Sequence, residues 1–167
     1  TGPTPKRKAN RPVQIPEVRF VSARPWIPLE EAVAETCGAK ADGARRLAVL
    51  ARAAGADFQT PPGLVVPFGV MEAALQAAPE VEAQYRELVA RIDTLAPAEF
   101  VTASERLRRL MGQLRVPGEL VVEVARKFHR QEQLIVRSSA NCEDLEHLAG
   151  AGLYESVAGV AAADVAA

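Results

Sequence analysis

Arg137 and Lys40 are the two residues whose surroundings best suit a bound polyphosphate. Arg137 lies in Leu134-Ile-Val-Arg-Ser-Ser-Ala-Asn-Cys-Glu-Asp-Leu145, which Ala149-Gly-Ala-Gly-Leu-Tyr-Glu-Ser156 follows closely. Leu134, Ile135 and Val136 are too few for a helix and form a run typical of a strand buried on both faces. Arg137 would then leave the sheet at its carboxyl end, where open α/β sheets collect ligands. Its guanidinium fork can grip phosphate oxygens in a bidentate way. Gly150 and Gly152 lack β-carbons, so the backbone around them, Ala151 included, can bring its amides close to an anion. Taken alone the pattern is weak, because a strand-end arginine is more often solvated or paired with a surface carboxylate.

Lys40 belongs to Cys37-Gly-Ala-Lys-Ala-Asp-Gly-Ala-Arg-Arg-Leu47, which opens a helix with one apolar stripe through Leu47, Leu50, Ala51 and Ala54. A lysine in a first turn faces the partly positive end of the helix and is less favourable there than an anion by roughly 0.3 to 1 kcal/mol. A bound anion removes the conflict, since the first-turn amides and the ammonium can all donate to it. An exposed lysine turned into water, with Asp42 offsetting its charge, fits the segment equally well.

Between these segments runs Thr60-Pro-Pro-Gly-Leu-Val-Val-Pro-Phe-Gly-Val-Met-Glu72. Its prolines bound a short strand, Leu64 to Val66, expected to be core, and Phe68 to Ala78 reads as the next helix.

Together these residues resemble a known family. Gly38-Ala-Lys40, Pro61 to Glu72, Val136 to Leu145, Ala151-Gly152 and Tyr154-Glu155-Ser156 are similar to the nucleotide-binding domain of the dikinases. That group includes pyruvate phosphate dikinase, phosphoenolpyruvate synthase and the α-glucan and phosphoglucan water dikinases. The resemblance covers roughly Glu35 to Val160, and its wording is closest to the glucan enzymes. Phosphoenolpyruvate synthase usually carries paired glycines before the lysine, where this chain has Cys37-Gly-Ala.

The resemblance implies an ATP-grasp-like fold that holds Mg-ATP between two lobes. The β-phosphate passes to a histidine on a separate domain and then to the acceptor, an α-glucan or pyruvate, with release of AMP and phosphate. It also implies that Lys40 and Arg137 are the phosphate-binding cations and that the loop Gly150-Ala151-Gly152 covers the phosphates. Glu155 matches a family position and is counted with the ATP-binding residues, without an assigned chemistry. The expected fold is therefore α/β (α+β), several helices around a small sheet, forming the first lobe over residues 29–167. The second lobe, with its magnesium carboxylates, would lie beyond Ala167, and the start at Thr1 suggests an excised segment. His129 and His147 lack the carrier-histidine context and read as surface residues. No catalytic residue or metal ligand is assigned within the chain. Two other readings stay open: the same lobe from a phosphoenolpyruvate synthase or an antibiotic phosphotransferase, and a non-catalytic interaction module that retained the fold.

The rest of the chain reads as scaffold. With 167 residues and 49% hydrophobic content it can build one ordinary core. Abundant alanine and few aromatics point to close helix packing. Three further helical stripes are legible: Val81, Tyr85, Leu88 and Ile92; Phe100, Ala103, Leu107, Met111 and Leu114; and Leu120, Val121, Val124, Ala125 and Phe128. A net charge of −1 gives no field for nucleic acid. Arg45, Arg46 and Arg52, and later Arg106, Arg108 and Arg109, read as solvated helix faces, with Arg45 near a phosphate only if the helix start is the site.

Two cysteines, Cys37 and Cys142, are too few for a disulfide framework and lack zinc spacing. They become neighbours if the two motifs converge. No membrane span or signal peptide is legible, so a cytoplasmic location is expected. Residues 1–28 read as a linker, mobile and basic over Thr1 to Asn10, with an edge strand between Val13 and Trp26 and Trp26 as a hydrophobic latch.

Overall fold

In a computed structural model of the protein, the described residues are 17–21, 23–55, 58–129, 132–142 and 154–166. The mobile segment expected at Thr1 to Asn10, the loop Gly150-Ala151-Gly152 and His147 lie outside them. The elements in chain order are β1 (Ile27–Pro28), α1 (Ala34–Cys37), α2 (Ala39–Ala54), β2 (Leu64–Val65), α3 (Val70–Gln76), α4 (Pro79–Arg91), α5 (Pro97–Met111), α6 (Gly118–Lys127), β3 (Gln133–Arg137) and β4 (Ser156–Ala161). The fold is α+β, with helices around two small antiparallel sheets, β1-β2 and β3-β4.

The β1-β2 sheet separates two apolar clusters. Ile27 is opposite Val65, and Pro28 opposite Leu64. Because neighbouring strand residues point to opposite faces, Ile27 and Val65 join Ala32, Cys37 and Ala41 on one side. Trp26 and Leu64 pack on the other side against Leu120, Val124 and Ala162, together with Phe128, Leu134 and Val165. The first cluster thereby fixes the start of α2, and the second fixes the start of β3. Trp26 does act as a latch, whereas residues 23–26 form no strand.

Pro79 and Pro97 open α4 and α5, where a missing N–H costs nothing and φ is already helical. α3, α4 and α5 pack successively, and α6 packs on the last turn, Asp164–Ala166. Val81, Tyr85, Leu88 and Ile92 are half-buried as their spacing requires. Ala103 and Leu110 are buried inside α5, but Phe100, expected in that stripe, is exposed. In α6, Leu120 and Val124 are buried, while Ala125 is exposed.

Three further expectations require correction. The inward face of α2 is Ala41, Ala48 and Ala51, whereas Leu47 and Leu50 are 53% and 57% exposed and Ala54 is also exposed. Small side chains let this helix approach its neighbours closely, and the leucines are turned out. Val66, expected in the core, is 50% exposed beyond the end of β2. The third concerns β3, which is not buried on both faces: Ile135 is 65% and Val136 51% exposed. Its partner β4 is antiparallel, with Arg137 opposite Ser156. The residue therefore stands at the end of a two-stranded ribbon and not at the carboxyl edge of a parallel sheet.

Candidate functional site

Gly38 both ends α1 and begins α2. Its N–H donates to the Ala34 carbonyl at 2.9 Å, closing α1, and its φ of +83° turns the chain into α2. Only glycine adopts that conformation without strain. The missing side chain has a second use: a Cβ there would lie 2.6 Å from the Ser139 carbonyl carbon and from its Oγ. The start of α2 thus rests directly on the backbone that follows β3.

That contact is fastened by two hydrogen bonds. The Ala41 amide donates to Ser139 Oγ at 3.1 Å, and the Ala39 amide donates to the Ala140 carbonyl at 3.2 Å. A serine hydroxyl on a first-turn amide is how N-caps act, but here the serine comes from 98 positions away. Two first-turn amides expected to donate to an anion are therefore already taken. Any anion binding at this end of α2 falls chiefly to the Lys40 side chain.

Lys40 Nζ lies over the ring of Tyr154, 5.7 Å from its centroid, within the reach of a cation–π attraction. The Tyr154 hydroxyl meets Cys142 Sγ at 2.8 Å. Tyr154 is also two residues before Ser156, the partner of Arg137 in the ribbon. One side chain therefore links the lysine, the segment after Arg137 and the start of β4. Cys37 is buried beside Thr36, whose Oγ1 is 3.4 Å from its Sγ. Both cysteines are free thiols.

Arg137 is exposed at the ribbon end. Next to it, the Ser138 amide donates to the Glu155 carbonyl at 3.4 Å. The Glu155 carboxylate lies 3.9 Å from the Arg108 guanidinium on α5, both largely exposed. Glu105, Arg108 and Arg109 line an open depression there. Arg108 is thus near the motif, although its spacing suggested only a solvated face.

Asp42 does not serve Lys40. Its buried carboxylate accepts from Arg45 at 2.7 and 3.1 Å and pairs with Arg46 at 2.6 Å. Burial works against the charge, but the hydrogen bonds and charges of Arg45 and Arg46 outweigh it and hold Asp42 below its ordinary value of 3.8. Arg45, held in this way, is a partner of Asp42. In α6 the hydrogen bond from Arg126 likewise lowers Glu123 against the opposing effect of burial.

Lysine, arginine and serine side chains are donors suited to phosphate oxygens, so this set fits the phosphate chain of a nucleotide. Among the described residues no group of three or more His, Cys, Asp or Glu side chains could hold a metal ion. Lys40, Arg137 and Ser139 carry no carboxylate, so these three side chains alone would not hold magnesium, which takes carboxylate, phosphate and water oxygens. His129 is exposed, and its amide donates to Glu132 at 3.1 Å. Among the described residues no helix is long and apolar enough to cross a membrane.

The contributions of Ser139, Tyr154 and Arg108 were not assigned from sequence. Ser139 and Tyr154 lie inside the quoted motifs, but no local spacing announces a cap or a ring contact supplied from the far end of the chain. The family model described as pyruvate phosphate dikinase, AMP/ATP-binding domain, matches residues 34–166. No solved structure matches the chain.

Proposed function

Because the chain belongs to the pyruvate phosphate dikinase AMP/ATP-binding domain family, we propose that it is the first lobe of an ATP clamp in a multidomain dikinase. Its α+β fold is consistent with an ATP-grasp-like lobe. In this reading Lys40 and Arg137 bind the phosphates of ATP, and the loop Gly150-Ala151-Gly152 covers them. The carboxylates that would hold the magnesium of Mg-ATP are expected from a second lobe, and this lobe would supply the cations for the phosphates. The β-phosphate passes to a histidine on another domain and from there to an α-glucan, leaving AMP and free phosphate.

The observation that carries this reading is the contact between the two cation-bearing segments. Ser139, two residues after Arg137, caps the helix whose second residue is Lys40. A lysine and an arginine on abutting segments can share one polyanion, the lysine as a point charge and the arginine as a planar fork. Glu155 is acceptor-only when ionised and has no hydrogen to offer a phosphate. In this reading it contributes through Arg108, whose guanidinium lies 3.9 Å from its carboxylate.

The glucan acceptor rests on the wording of Arg137 to Leu145 and Gly152 to Ser156. The family match favours the group as a whole, so pyruvate is the second acceptor to test. The intact natural protein carrying this chain would be given ATP labelled at either the β or the γ position. With α-glucan present, β-label on the glucan and γ-label as free phosphate are expected. β-Label on pyruvate would move the assignment to the pyruvate-phosphorylating members of the group. Absence of both transfer and ATP binding would leave a non-catalytic module.

A further inference from the structure

We propose that Tyr154 is a positioning residue for ATP binding, holding the Lys40 ammonium against its ring so that the charge stays beside the Arg137 segment. The inference rests on the reading of Lys40 as a phosphate ligand and adds how the lysine is kept in place. Lysine is a flexible point charge whose side chain loses much rotamer freedom when it is fixed. An aromatic face reduces that loss by giving the ammonium a preferred position before the ligand arrives.

Three observations give Tyr154 this role and not that of a passing neighbour. Its ring centroid is 5.7 Å from Lys40 Nζ, and its hydroxyl is tied to Cys142 Sγ at 2.8 Å, so the ring is fixed at its far end. Its backbone leads directly into β4, whose first residue, Ser156, pairs with Arg137. The tyrosine thereby sets the lysine in register with the arginine.

The test measures ATP affinity in the intact natural protein. Tyr154→Leu should weaken binding about fivefold, the loss of a partly exposed cation–π contact worth roughly 1 kcal/mol. Tyr154→Phe should fall between wild type and Tyr154→Leu, because it keeps the ring face under Lys40 and loses only the tie to Cys142. Replacing residue 154 by phenylalanines of increasing fluorine content, nearly constant in shape, should weaken ATP binding stepwise as the ring face loses negative charge. This series decides the matter even if the leucine variant folds poorly, since packing alone would not follow ring electronics.

The Lys40→Ala variant separates the two layers of the argument. If it weakens ATP binding and the added Tyr154→Leu change has no further effect, the tyrosine acts through the lysine. Equal losses from Tyr154→Leu in both backgrounds, or a flat fluorination series beside a damaging Lys40→Ala, would overturn the role of Tyr154 while leaving the nucleotide reading intact. Unaltered binding in Lys40→Ala would remove both.

Discussion

Gly38 and Ser139 touch so closely that the first has no room for a side chain: a Cβ would stand 2.6 Å from the Ser139 carbonyl carbon. Gly38→Ala should therefore destabilise the protein although alanine is the better helix former. The backbone strain at φ +83° and the forced separation from Ser139 together should cost about 3 kcal/mol or more. Chemical denaturation would measure it. A loss below about 1 kcal/mol, the scale of an ordinary exposed glycine change, would mean that the two segments are not in contact.

Ser139→Ala tests the same junction without adding bulk. It removes the acceptor of the Ala41 amide and should lower stability by about 1 kcal/mol, as for other lost N-caps. The denaturation midpoint should move at constant slope, because the surface exposed on unfolding is unchanged. Loss of ATP binding with no change in midpoint would instead give Ser139 a direct role at the ligand.

Much of this junction was legible in the residues, but not its geometry. The glycine-led helix start and the arginine after an apolar run were both visible locally. Their meeting depends on Trp26 and Leu64 packing on one side of a two-residue sheet while Ile27 and Val65 pack on the other, and that requires the assembled chain. The errors have a common physical source. Side-chain size suggested that Leu47 and Leu50 face inward, yet alanines form the close contacts of α2, and the apolar Ile135 and Val136 belong to an open ribbon.

Asp42 should impose an acid limb on stability. Its folded value is lowered, so the unfolded chain takes up the proton first as pH falls. The contribution is present above the ordinary value of 3.8 and lost as pH drops through the folded value. Melting temperatures recorded from neutral pH to about pH 3 should fall more steeply for wild type than for Asp42→Asn, which starts lower. Glu123→Gln should flatten the limb further, because Arg126 lowers Glu123 in the same direction. Parallel curves for wild type and Asp42→Asn would show that the Arg45 and Arg46 pairing has no energetic weight.

The ribbon should open more readily than α2. A two-stranded sheet is marginal on its own in water, and Ile135, Val136 and Val157 are about half exposed or more. Hydrogen exchange at Ile135 and Val136 should therefore be faster than at Ala48 and Ala51, which face the core of α2. Equal protection in the intact natural protein would mean that something outside the described residues covers the ribbon there.

Arg137→Lys separates charge from shape at the proposed phosphate site. Arg137 is exposed, so neither Arg137→Ala nor Arg137→Lys should shift the melting temperature appreciably. Both should act on ATP. The alanine variant loses charge-assisted hydrogen bonds worth about 1.5 to 3 kcal/mol, or roughly tenfold to more than a hundredfold in affinity. The lysine variant keeps the charge but cannot offer two parallel N–H groups, so it should recover only part of the loss. Titration of the three proteins with ATP would distinguish the possibilities. Full recovery by lysine would reduce Arg137 to a long-range charge, and unchanged affinity in the alanine variant would remove it from the site.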